Sequence, residues 1–80
     1  QALLRSAQAQ WQATASQAQL AQETAGFFER SFRLGETDLP THLRMTQEAA
    51  LAQRAKARAH MDVAAARSAW WQAQGALPRP

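Results

Sequence analysis

Apolar positions recur along this chain in alternating steps of three and four, with one interruption. Upstream of it, Leu4, Ala7, Trp11, Thr14, Ala18, Ala21, Ala25, Phe28 and Phe32 form one stripe. Downstream, Met45, Ala49, Ala52, Lys56, Ala59, Val63, Ala66, Trp70, Ala73 and Leu77 form another, in which Lys56 is the only charged member. A 3–4 spacing keeps side chains on one seam of a supercoiled helix. The interruption is Arg33-Leu34-Gly35-Glu36-Thr37-Asp38-Leu39-Pro40, and a break this short makes two helices lie antiparallel. The pattern predicts an all-α, antiparallel two-helix coiled-coil hairpin, with a helix over about 1–34, a tip at 35–38 and a helix over about 39–74.

The ends of both arms carry stop and start chemistry. Arg30 and Arg33 occupy the last turn of the first arm, where cations suit the helix dipole, and Glu29 precedes Arg33 by four. Gly35 suits the left-handed position that follows many helices. Thr37 or Asp38 can cap the second arm, and Pro40 then falls in the first turn, where its missing N–H does no harm. Gly75 is the expected stop, with Pro78 and Pro80 preventing resumption. Gly26 is the one weak point inside the first arm.

A second apolar stripe runs beside each seam. On the first arm it is Ala2, Ala9, Ala13, Leu20, Phe27 and Leu34; on the second, Leu43, Ala50, Ala57, Met61, Ala64 and Trp71. These positions either widen a single core face or give each helix a second partner, as in a helical bundle or barrel. Composition favours the second partner. Alanine makes up a quarter of the chain, there is one valine and there is no isoleucine, so an isolated pair would be poor in bulk. Self-association is the expected result. The single hairpin spans 1–80 and opens in mid-pattern, so it reads as a segment of a longer protein.

Charge and chemistry narrow the function classes. The formal net charge is +3, and the basic residues cluster only at Arg54, Lys56 and Arg58, which argues against a nucleic-acid partner. No run approaches the ~20 apolar residues of a spanning helix, so direct membrane insertion by this segment is not expected. His42 and His60 are separated by about five turns of one helix and cannot share a metal within one copy. Met45 and Met61 are seam and flank residues before they are soft-metal ligands. The carboxylates are dispersed, with no pair to tune for acid–base work. No enzyme, cofactor or metal is expected.

The stretch Phe32-Arg33-Leu34-Gly35-Glu36-Thr37-Asp38-Leu39-Pro40-Thr41-His42-Leu43-Arg44 resembles the periplasmic tip of TolC-like outer-membrane efflux channels, closest to the heavy-metal (cobalt–zinc–cadmium or copper–silver) branch. The closing Trp71-Gln72-Ala73-Gln74-Gly75-Ala76-Leu77-Pro78 is similar to that family's final segment, departing from its phrase at Trp71 and at Ala73-Gln74. The resemblance covers nearly the whole chain. It implies a periplasm-facing part of an outer-membrane protein of a Gram-negative bacterium, trimeric as a full-length channel. It further implies one of the two tunnel hairpins of a protomer, with the closing segment pointing to the second. Arg33, Leu34, Gly35, Glu36, Thr37, Asp38 and Leu39 would then dock the hairpin of a periplasmic adaptor (membrane fusion) protein in a tripartite pump for metal ions or drugs. The packing seam would comprise Leu4, Trp11, Ala18, Ala25, Phe28, Phe32, Met45, Ala52, Ala59, Val63 and Trp70. The residues alone are also compatible with a stand-alone coiled-coil interaction module.

Overall fold

Residues 2–75 are described by a computed structural model of the chain. Two helices, α1 (Ala2–Arg33) and α2 (Leu39–Ala73), pack side by side as an antiparallel hairpin measuring 61 × 24 × 14 Å. Gln1, the last stripe position Leu77 and the prolines expected to prevent resumption of the helix, Pro78 and Pro80, lie outside the described residues.

The turn follows from its residues. At the end of α1 the Glu36 N–H donates to the Ser31 carbonyl (2.8 Å) and the Gly35 N–H to the Phe32 carbonyl (3.0 Å). Those two bonds are the paired closure of a Schellman motif. It needs a left-handed residue, and Gly35 supplies φ +75°. Asp38 then caps α2 from an extended backbone, its carboxylate accepting from the Thr41 N–H at 3.0 Å. Of the two expected caps, Asp38 takes the role. At the far end Gln74 is the C-cap and Gly75 has φ +65°.

The seam is made of small side chains. Ala18 on α1 and Ala49, Ala59, Val63 and Ala66 on α2 are the buried apolar residues, and no large side chain is fully buried. A buried valine or leucine contributes ~1.5–3 kcal/mol, whereas alanine contributes far less. The arms are therefore held by many shallow contacts along their length. Leu4, Trp11, Ala25, Phe28, Met45, Ala52 and Trp70 are half-buried along the same line. Lys56 is half-buried because its stem lies along the seam while Nζ sits 5.9 Å from the centre of the Trp11 ring. Thr14 is tolerated there because its hydroxyl donates to the Gln10 carbonyl at 2.9 Å.

Candidate functional site

The residues of the tip divide into those used by the fold and those left for a partner. Arg33, the last residue of α1, is ion-paired with Glu29 at 2.7 Å on the same helix. Asp38 is committed to its cap. The Thr41 hydroxyl, then the Thr41 N–H, hold its carboxyl below the usual value near 3.8, against a small opposing effect of desolvation. Gly35 is needed for its positive φ, and no atom lies within 4 Å of where its Cβ would stand. Thr37 is half-buried. Leu34, Glu36 and Leu39 remain. Leu34 is 73 % exposed and Leu39 47 %. Glu36 is exposed and has no ion pair among the described residues. The turn thus presents two leucines and one carboxylate on a rigid backbone.

Immediately below the turn the arms are tied by aromatic contact. Phe32 stacks on His42 with ring centroids 5.1 Å apart and an interplanar angle of 17°. Phe32 is packed on one side only and stays 37 % exposed, because α1 ends one residue later and nothing covers its outer face. His42 is half-buried, and its Nδ1 is buried without a hydrogen-bond partner. Leaving such an atom unpaired costs about 1–3 kcal/mol, which the stack on Phe32 offsets in part. His42 therefore serves as a strut of the tip, a role its position in the sequence did not indicate. Ser31, the buried polar residue whose carbonyl closes the turn, was equally unmarked by the apolar pattern. Its signal was the spacing of five between Ser31 and Glu36 around a glycine.

Below the stack, Gln22, Gly26, Glu29, His42 and Thr46 line an open cleft of about 520 Å³ between the arms. Farther down, Gln53 Nε2 donates to Gln22 Oε1 at 3.4 Å, and the Trp11 ring packs 4.8 Å from His60. Trp70 and Trp71 meet edge to face at 5.2 Å near the open end. His42 and His60 thus make separate contacts with different aromatic rings. Among the described residues no group of three or more His, Cys, Asp or Glu side chains could hold a metal ion, and no helix is long and apolar enough to cross a membrane.

No family model, curated protein or solved structure matches the chain.

The apolar exposure of the tip extends along the flanks. Leu20, Phe27 and Met61 of the second stripes are exposed by 62 %, 55 % and 70 %. Leu43 and Trp71 of the same stripes are exposed as well, and so are Leu3 and Leu51 outside them. Ala13, Leu20 and Phe27 of α1 and Leu34 just beyond it stand one heptad apart, so they form a line that ends at the tip. A line of large apolar side chains on a surface marks an interaction site.

Proposed function

We propose that this hairpin is a protein-docking element: the tunnel-tip hairpin of a TolC-like outer-membrane efflux channel. Its tip would meet the hairpin of a periplasmic adaptor protein in a tripartite pump for metal ions or drugs. The observation that carries the reading is the exposure of Leu34 and Leu39 on a turn that hydrogen bonding already fixes. Turn chemistry accounts for Gly35, Asp38 and Pro40 but gives the two leucines no work. Glu36 beside them adds a charge to orient a partner, and the open space over Gly35 admits close approach. The resemblance of residues 32–44 to channel tips points to the same kind of partner.

The exposed flanks support the second half of this reading, in which the arms pack among other helices and place the tip at the end of a larger assembly. The closure of the turn by hydrogen bonds within the hairpin itself, from Gly35, Glu36 and Thr41, is what favours the alternative of a free-standing coiled-coil interaction module.

The test is retention of the hairpin of a metal-efflux adaptor by the immobilised chain. Replacing Leu34→Glu together with Leu39→Glu is expected to abolish retention while the far-ultraviolet circular dichroism keeps its helical signal. Retention that survives both changes would remove the tip from the docking surface.

A further inference from the structure

We propose that the recess between Trp11 and Lys56 is a binding site for a small planar anion, of the class of single-ring aromatic carboxylates. Trp11 stands roughly 33 Å along α1 from Arg33, at a rise of about 1.5 Å per residue, and the site is independent of what the tip docks.

Lys56 is the residue that packing alone does not explain. It is the one charged position on a seam that is otherwise uncharged. It is half-buried and has no carboxylate partner among the described residues. A cation taken from water without a counter-ion costs free energy, whereas an apolar side chain at the same place would gain from burial. Asp62, the nearest carboxylate along α2, lines a different groove with Leu3, Ser6 and Gln10. Inside the chain the ammonium meets the Trp11 ring, with Nζ 5.9 Å from its centre. That separation is at the outer limit of a cation–π contact, so it offsets only part of the cost.

The groups around Lys56 suit an anion with a flat apolar body. Trp11, Gln53, Lys56, Ala57 and His60 line a recess of about 240 Å³, and no carboxylate is among them. Trp11 supplies an aromatic face and an indole N–H. His60 lies 4.8 Å from that ring at an interplanar angle of 47°, so the two rings are not stacked flat against each other. Its imidazole and the Gln53 amide add polar groups that can donate to an oxygen. Gln53 also bonds Gln22 across the arms at 3.4 Å, which ties this wall of the recess to both helices. Ala57 adds no bulk.

Size sets the class of ligand. Sites for drug-sized molecules run to ~300–1,000 Å³, so this recess takes a single ring. A carboxylate on Nζ would form a charge-assisted hydrogen bond, and the ring behind it would cover the indole. The ligand thus supplies the counter-ion that the fold omits.

Benzoate is the probe, titrated into the full chain at fixed pH and ionic strength. The indole N–H signals of Trp11, Trp70 and Trp71 are followed by nuclear magnetic resonance. Saturable movement of the Trp11 signal is expected in the millimolar range, with Trp70 and Trp71 as internal controls that stay in place. Benzamide, which lacks the charge, and acetate, which lacks the ring, are each expected to bind at least tenfold more weakly. Lys56→Met is expected to weaken benzoate at least tenfold while leaving the thermal midpoint unchanged or raised, because an unpaired cation leaves the seam. Lys56→Arg is expected to keep binding within a few-fold. A Trp11 signal that does not saturate, equal movement of all three indoles, or benzamide or acetate binding as well as benzoate would overturn the proposal. So would benzoate binding that survives Lys56→Met. Binding lost in Lys56→Met with a lowered midpoint, and not regained in Lys56→Arg, would make the lysine a packing residue and overturn it as well. Adaptor retention by Lys56→Met is expected to be unchanged, so failure here leaves the tip reading untouched.

Discussion

At the tip, the N–H groups of Leu34, Gly35, Glu36, Thr41 and His42 all have identified acceptors, whereas along the arms the apolar residues that are buried are alanines and one valine, with larger side chains only half-buried beside them. The two regions hold their shape by different means. The turn is specified locally, by hydrogen bonds among residues close in sequence, and each bond is short enough to fix the backbone. The arms are specified by repetition, since each shallow contact contributes little and only their number and register make the pair. The difference assigns the work: a rigid tip presents its leucines in a fixed arrangement, while thin arms leave apolar flanks that gain by being covered.

The comparison breaks most sharply if the seam is overfilled. Ala18 and Ala59 are 0 % and 3 % exposed, so no space stands beside either methyl group. Replacing Ala59→Leu is expected to force the arms apart and to cost about 1–3 kcal/mol, read as a lowered midpoint in urea. The tip should be little affected, so amide exchange at Gly35 and Glu36 would remain slow relative to the arms. An Ala59→Leu chain with an unchanged midpoint would show that the arms are not closely packed.

The same substitution at two glycines gives opposite signs. Gly35 sits at φ +75° in open space, so Gly35→Ala meets no clash but strains the backbone, at a cost of about 1–2 kcal/mol. Gly26 lies inside α1, and an added Cβ would meet only the Arg30 guanidinium at 3.5 Å, an ordinary contact with the end of a flexible side chain. Gly26→Ala is expected to stabilise by about 0.5–1 kcal/mol through reduced backbone entropy of the unfolded chain. Thermal melts of the two variants measure both effects, and shifts of the same sign would mean that the tip glycine is not held in its left-handed conformation.

This contrast also bears on how far the residues alone could be read. The 3–4 pattern marked the seam from Leu4 to Trp70 because a coiled contact repeats and each position reports on its neighbours. Gly35, Asp38 and Pro40 marked the turn because each has a conformational property other residues lack. The division of labour within the tip was hidden. Arg33 and Asp38 look like Glu36 on paper, yet the first is held by Glu29 and the second by Thr41. The stack of Phe32 on His42 joins two helices across the turn, and no periodicity along one helix reports a contact of that kind.

The smallest effect is the titration of the cap. Hydrogen bonds from Thr41, hydroxyl first and then backbone N–H, hold the Asp38 carboxyl below its usual value near 3.8. In the unfolded chain that carboxyl returns to its ordinary value. Between the two values the unfolded state binds the extra proton, so acidification favours unfolding. The cap's contribution is therefore fully present above about pH 5 and is lost as the pH falls through 3.8 toward the lower folded value. Asp38→Asn retains an oxygen acceptor for the Thr41 N–H but does not titrate. Melting temperatures of the two chains are expected to lie close together at neutral pH, with the Asp38 chain losing more between pH 5 and pH 3. Parallel curves would mean that the carboxylate adds nothing to the cap beyond its oxygen, and that the start of α2 is fixed by Pro40 and by the seam.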